Sequence, residues 1–366
     1  MHLSSIFISN FRNLSSTQIE PGKRFNLLYG LNGQGKTNLL EAIYLLGSPR
    51  SFRNARFPEL VKYGENQTSI IGTVESAGIE NKLRLSIESA GRRVEIDGKS
   101  VYKASELHGK FNAVIFSPDD TGMVRMGPDS RRRYLDRTVY MGDIGYLHCW
   151  HSYQRILKQR NQLLKSSDRT GLDIWTEKLA ETGAEVIERR IKFIHALDCK
   201  LQKYYATIAG GAETSGIIYT PNGIKSKDRK QIFQELMDLF KRQQRTDERY
   251  GTTTAGPHRD DLIFMMDERP LKTFGSQGQQ KSFILALKMA EMDNLNDIFG
   301  ETPLLLLDDM SSELDSRRNN NLMEFLHTRE IQVFITTTER APLILDVAHQ
   351  CTVFHVENGN LTIEGS

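Results

Sequence analysis

Gly30, Gly35, Lys36 and Thr37 in Gly30-Leu31-Asn32-Gly33-Gln34-Gly35-Lys36-Thr37 satisfy every constrained position of the G-x-x-x-x-G-K-[ST] phosphate loop. Glycines at these positions let consecutive backbone N–H groups turn inward around a triphosphate, which makes Gly30, Leu31, Asn32, Gly33, Gln34 and Gly35 candidate nucleotide-binding residues. Lys36 is placed to reach the β- and γ-phosphates, and Thr37 to offer its hydroxyl to Mg²⁺. Far downstream, Leu304-Leu305-Leu306-Leu307-Asp308-Asp309 ends an apolar run in two carboxylates. Alone that pattern says little, because acidic turns follow many strands. Beside a complete phosphate loop it reads as the second half of a nucleotide site. Asp308 would share the Mg²⁺ with Thr37, and Asp309 would orient or deprotonate the attacking water.

These groups need rigid elements to hold them. Phe25-Asn26-Leu27-Leu28-Tyr29 reads as a buried strand feeding the loop, and residues 38–46 read as the helix leaving it, stopped by Gly47-Ser48-Pro49. The helix N-terminus adds a favourable dipole for an anion. The leucine run 304–307 is continuous, as expected of a strand buried on both faces, with its carboxylates at the end where open α/β sheets bind ligands. Around these lie short β-type runs at 3–8, 70–74, 83–87, 93–96 and 113–116, punctuated by Gly78 and Asp97-Gly98. From about Tyr146 the apolar period becomes helical. Leu147, Trp150, Leu157 and Leu164 precede a polar break at 166–171, and Leu179, Val186, Leu197 and Leu201 follow it. That pattern predicts an antiparallel helical hairpin. A further helix is expected over 231–242, then strand 261–267, helix 279–293, strand 303–307 and a strand–helix pattern over 331–347. The expected organisation is an N-terminal α/β lobe over 1–120, a helical arm over 121–245 and a C-terminal lobe over 246–366.

Bulk properties narrow the class. Of 366 residues, 26% are charged and 39% hydrophobic, ordinary for a soluble globular protein. No apolar run approaches a membrane span and the N-terminus lacks the form of a signal peptide, so a cytoplasmic protein is expected. Cys149, Cys199 and Cys351 are odd in number, far apart and without metal-ligand spacing, as reduced structural thiols are. The 48 basic and 46 acidic side chains leave a net charge of only +2, which does not announce nucleic acid. Local clusters at 131–133, Arg92-Arg93, 225–230 and Lys241-Arg242 with Arg245 are candidate phosphate contacts, although most such clusters are solvated surface.

Phe274-Gly275-Ser276-Gln277-Gly278-Gln279-Gln280-Lys281 stands directly before a helix, with Ser276 and Gln279 spaced as a capping box. The same stretch resembles the Leu-Ser-Gly-Gly-Gln signature of ABC-type ATPases, and Ser311-Ser312-Glu313-Leu314-Asp315 resembles their D-loop. The order of Asn-Phe-Arg-Asn, phosphate loop, helical insertion, signature and acidic strand end resembles an ABC-type ATPase head of the SMC kind with a short arm. Ser117-Pro118-Asp119-Asp120, Gly127-Pro128 with Arg131-Arg132-Arg133-Tyr134-Leu135-Asp136, Leu157-Lys158-Gln159-Arg160-Asn161 and Gly256-Pro257-His258-Arg259-Asp260-Asp261 narrow the resemblance to the bacterial RecF family over nearly the whole chain.

That resemblance implies an α/β ABC-type head of mixed sheets with an inserted α-helical arm, binding ATP and Mg²⁺. It implies a head-to-tail homodimer on gapped or junction DNA. RecO and RecR would be partners in loading recombinase and supporting the SOS response. Ser276, Gly278 and Gln279 of one protomer would close over the γ-phosphate held by the other, giving Ser276 a catalytic share with Lys36 and Asp309. Arg12 and Asn13 would lie near the nucleotide. Two departures from transporter ATPases point to slow hydrolysis: Asp309 replaces a longer glutamate, and Thr336, Thr337 or Thr338 must substitute for the switch histidine. His258 and Arg259 invite a catalytic reading, but a structural or DNA-facing one is at least as strong. A transporter ATPase subunit is the competing reading, disfavoured by the helical insertion, the absent histidine and the basic clusters. A long-range tether is disfavoured by the short arm.

Overall fold

Alternating apolar residues in the N-terminal third build an antiparallel sheet, because period-two side chains give each strand one buried face. Its strands β1 (His2–Phe11), β2 (Leu14–Ile19), β4 (Gln67–Ser76), β5 (Ile79–Glu88), β6 (Gly91–Ile96) and β7 (Lys99–Val101) lie in the order β2-β1-β4-β5-β6-β7. In β5 the buried face is Asn81, Leu83, Leu85 and Ile87. The computed structural model describes residues 1–48, 50–53, 55–88, 91–211, 213–309, 316–338 and 351–364.

A second sheet takes the continuous apolar runs. β3 (Phe25–Tyr29), β8 (Ala113–Phe116), β12 (Leu304–Leu307), β13 (Val333–Thr337) and β14 (Cys351–Glu357) run parallel, with β15 (Asn360–Glu364) antiparallel at one edge. The order is β15-β14-β3-β13-β12-β8, and every residue of β8, β12 and β13 is buried. The helix α1 (Lys36–Gly47) leaves β3 through the phosphate loop. Its Leu39, Leu40 and Ile43 share one core with Ile70 and Leu85 of the first sheet and Leu304 and Phe334 of the second. Short helices α2 (Phe57–Leu60), α3 (Ala104–Leu107) and α4 (Pro118–Met123) follow.

The chain forms two compact units, Met1–Thr121 with Glu291–Ser366, and Gly122–Ala290. The second unit holds α5 (Pro128–Gly142), α6 (Ile144–Lys165), α7 (Leu172–Ala209) and α8 (Arg229–Tyr250). It also holds a small sheet of β9 (Ser215–Thr220), β10 (Asp261–Met266) and β11 (Arg269–Pro270), then α9 (Leu271–Phe274) and the start of α10 (Gln277–Phe299). A helix α11 (Ser316–His327) belongs to the first unit. The hairpin expected from the helical period is present as α6 and α7, with the break where the polar run predicted it. The expected boundary at 245 falls at 290 instead, because β10 pairs with β9 along its whole length and ties residues after 245 to the arm. The helix α5 was not expected; its three consecutive arginines hide the apolar face carried by Tyr134, Leu135 and Val139.

Two buried arginines knit the second unit. Arg190 on α7 is fully buried and donates to Asp260 Oδ2 at 2.9 Å, Asp136 Oδ1 at 2.7 Å, the Tyr146 hydroxyl at 2.9 Å and the Pro257 carbonyl at 2.8 Å. Asp260 also accepts from the Tyr219 hydroxyl and, at 2.8 Å, from the Asn222 N–H. Arg160 on α6 donates to Asp247 at 2.8 Å and to Thr253 at 2.7 Å. A guanidinium offers five donors in a fixed fork, so each side chain satisfies several elements at once.

Candidate nucleotide site

The phosphate loop sits between β3 and α1, as its sequence predicts, and its carbonyls are held from outside. Lys36 Nζ donates to the Gly30 carbonyl at 2.6 Å and the Leu31 carbonyl at 2.9 Å. Asn13 Nδ2 donates to the Gln34 carbonyl at 3.1 Å and the Gly33 carbonyl at 3.4 Å. The Gly35 carbonyl accepts the Leu39 N–H at 3.0 Å, the first bond of α1. With its carbonyls engaged in this way, the loop has backbone N–H groups to offer an anion. Gly35 has φ +116°, and a Cβ there would lie 2.8 Å from Asn13 Oδ1, so a side chain would displace the residue that holds the loop.

At the end of β12, Asp308 faces Thr37 across the sheet. Thr37 Oγ1 lies 2.9 and 3.0 Å from its two carboxylate oxygens, and Thr336 Oγ1 donates to Oδ1 at 2.7 Å. Burial pushes the Asp308 carboxyl above the ordinary range; the hydroxyl bonds from Thr336 and Thr37 pull it down, and neighbouring Asp309 pushes it up again. Burial likewise lowers the Lys36 ammonium, while Asp309 and Asp308 raise it. Asp309 holds a left-handed φ of 51°, fixed by its N–H donating to Thr336 Oγ1 at 2.8 Å. Oxygen donors of this kind fit Mg²⁺, which takes one or two protein oxygens and completes its shell with phosphate and water. Thr37 and Asp308 are the residues that would hold it.

Other candidates from the sequence have partners inside the protein. Arg12 makes a two-pronged bond to Glu41 of α1, both arms at 3.0 Å, and Glu41 is fully buried. It braces the helix behind the loop, while Asn13 touches the loop itself. Thr336 bonds the Asp308 carboxylate and accepts the Asp309 N–H. Arg131 forks onto Asp261 at 2.8 and 2.7 Å, and Arg132 donates to the Asp260 carbonyl at 2.7 Å and to Asp129. Two members of the 131–133 cluster therefore have structural work within the second unit.

The signature residues lie in that unit at the start of α10. Ser276 and Gln279 form the expected capping box, with the Ser276 N–H donating to Gln279 Oε1 at 2.7 Å and the Gln279 N–H to Ser276 Oγ at 3.2 Å. Gln279 Nε2 donates to Glu213 at 2.7 Å, while Gly278 stands in the first turn. Ser276 is exposed. The D-loop candidates at 311–315 lie outside the described residues.

Sequence reasoning missed two contributors. Arg53 donates to Asn38 Oδ1 at 3.1 Å, lies 3.7 Å from Glu41, and its charge lowers Asp308. No periodic pattern marks it. The other is the β14–β15 turn, where the Gly359 N–H donates to the Gln34 carbonyl at 2.9 Å and the Asn358 N–H to Gln34 Oε1 at 2.6 Å. Asn-Gly between alternating apolar residues is a strong hairpin signal, and both residues take the positive φ of a type I′ turn, 49° and 77°. A Cβ on Gly359 would meet the Asn13 carbonyl at 2.3 Å. Gly359→Ala is expected to cost about 1–3 kcal/mol of strain and to shrink the thermal shift given by ATP. A full ATP shift in this variant would show that the turn does not position the loop.

His258 is structural. Its Nε2 lies 3.0 Å from the Thr253 carbonyl, which can only accept, so Nε2 carries the proton and Nδ1 accepts from the Tyr153 hydroxyl at 2.7 Å. Burial, with Arg259, Arg132 and Arg190 nearby, lowers its pKa from 6.5 to about 4, against the opposing Thr253 bond. Between those values the unfolded chain binds the proton and the folded one does not. The stability given by the neutral ring is complete above 6.5 and is lost as pH falls through about 4. The loss runs at about 1.4 kcal/mol per pH unit of that window. Denaturation midpoints should fall less steeply with acid in His258→Gln than in the natural chain; parallel curves would contradict the assignment.

Among the described residues, no helix is long and apolar enough to cross a membrane. The family model described as RecF/RecN/SMC N terminal domain matches residues 2–362. A DNA replication and repair protein RecF of Trichlorobacter lovleyi is 47% identical over 366 residues, covering 100% of this chain and 99% of that one. The same protein of Geotalea uraniireducens is 46% identical over 362 residues, covering 99% of this chain and 100% of the relative. Among solved structures, the recombination mediator protein RecF with ATP in the RecFOR pathway superposes with a TM-score of 0.91 at 34% identity, covering 100% of this chain and 98% of the other. The Smc head domain of Pyrococcus furiosus, with an extended coiled coil and bound to the C-terminal domain of ScpA, superposes with a TM-score of 0.56 at 15% identity, covering 99% and 96%, and shares the fold.

Proposed function

The chain belongs to the RecF family of SMC-type, ABC-like ATPase heads, and from that membership we propose that it is an ATP-dependent DNA-binding switch of replication and recombinational repair. The observation that carries this reading is the assembled pair of a held phosphate loop and the Thr37–Asp308–Thr336 oxygen cluster. ATP would lie on the N–H groups of 30–37, with Lys36 on its terminal phosphates. Bound Mg²⁺ would supply charge neutralisation of the phosphates beside Thr37 and Asp308. Asp309 would position the attacking water, its short side chain supports slow hydrolysis, and DNA would stimulate it.

The exposed Ser276 and its neighbours Gly278 and Gln279, at the start of α10, would complete the site of a second copy, so ATP would join two chains head to tail on gapped or junction DNA. Hydrolysis would release them. RecO and RecR are the partners this reading implies, acting with it to load recombinase and support the SOS response in the cytoplasm. Filter binding of gapped DNA tests it. Retention is expected with ATP and Mg²⁺ and not with ADP, and retention indifferent to nucleotide would sink the switch.

A further inference from the structure

We propose that the outward face of α6 is a track for the phosphate backbone of duplex DNA. The inference rests on the DNA-binding reading above and assigns it a surface. Across its 22 residues α6 carries no Asp or Glu, while α7 beside it carries six, Asp173, Glu177, Glu181, Glu185, Glu188 and Asp198. Arg155, Lys158 and Lys165 are exposed and, with Gln154 and Gln162, line a groove along the helix. Among the described residues none of these three cations has an ion pair or hydrogen bond; Arg169, paired with Glu248 at 3.1 Å, lies beyond the end of α6. The fourth cation of the helix, Arg160, is buried on Asp247 and is not part of this face.

Geometry places the cations together. Spacings of three, four and three residues through 155, 158, 162 and 165 keep them on one side of a helix, and ten residues span about 15 Å. A DNA strand presents a phosphate every ~3.4 Å along its axis, so this face covers several phosphates in a row. Arg, Lys and Gln are among the side chains that bind phosphate, and such contacts carry no sequence information. The aromatic residues of α6 are turned elsewhere: Trp150 stacks on Tyr146 and Tyr153 with the Arg190 guanidinium 4.9 Å from its ring, and both tyrosines are buried. Single-strand sites need rings on which bases stack. A cationic face without them fits duplex.

The test replaces Arg155, Lys158 and Lys165 by Gln in the full chain, with ATP and Mg²⁺ present. Affinity for a blunt duplex and for an oligothymidylate is followed against salt, with ATP binding measured in the same samples. The slope of log affinity against log salt on duplex should fall in magnitude by about 2–3. Between about 50 and 200 mM salt the natural protein should then lose roughly forty-fold more duplex affinity than the variant. Oligothymidylate binding should hardly change, and Arg155→Lys should keep the natural slope. Gln at Lys178, Lys192 and Lys203 of α7 removes equal charge and should leave the slope in place. An unaltered duplex slope in the α6 variant overturns the track while leaving the DNA switch standing, and so does loss shared equally by oligothymidylate. A natural protein that binds ATP but no duplex overturns the track alone, and one that binds ATP but neither duplex, oligothymidylate nor gapped DNA overturns both.

Discussion

Lys36→Met should give a folded protein whose ATP affinity has fallen by about 10- to 150-fold, from the loss of a charge-assisted phosphate bond of roughly 1.5–3 kcal/mol. The fold should survive. Among the described residues the hydrogen bonds of the ammonium go to the carbonyls of Gly30 and Leu31, both within the loop, and the methionine side chain keeps most of the buried volume. Calorimetric titration with ATP, set beside the unfolding curve, separates the two effects. Equal affinity would remove Lys36 from the phosphates, and a collapsed fold would make the residue a structural one.

A second large effect belongs to stability. Arg190→Met should destabilise the second unit by about 3–5 kcal/mol, because it leaves Asp260 and Asp136 with their shared counter-charge removed, and Asp260 is fully buried. For a unit of this size that corresponds to a fall of roughly 10 °C or more in Tm. Arg190→Lys should rescue little. A single ammonium cannot reach the Pro257 carbonyl, the Tyr146 hydroxyl and both carboxylates, which the guanidinium fork serves together. A loss below about 1 kcal/mol, the scale of an exposed pair, would mean that the network is loosely held.

The parts legible in the sequence were those dictated by local pattern. Backbone demands fix the phosphate loop, two-sided burial fixes the leucine run 304–307, and the helical period gives α6 and α7. What resisted reading depended on contacts distant in sequence. The partner of Arg12, Glu41, lies 29 residues on and is buried in the core that α1 shares with both sheets. Arg131 and Arg132 read as a basic patch, but their acceptors at Asp261 and Asp260 arrive from β10 and the turn before it. The bond from Thr336 to Asp308 likewise joins residues 28 apart, which no local pattern shows. The Asn358-Gly359 turn was readable as a hairpin in its own right. Its role under Gln34 was not, because only the parallel pairing of β14 with β3 carries it beside the loop.

In the proposed ATP-gated pair of chains, the phosphate loop would supply one half of a site and Ser276, Gly278 and Gln279 the other half from a second copy. Light scattering of the full chain with ATP and Mg²⁺, with ADP, and with no nucleotide tests it most directly. The mass should double with ATP alone, and Lys36→Met should remain a monomer in all three. One mass in every condition, or doubling that persists in Lys36→Met, would contradict it.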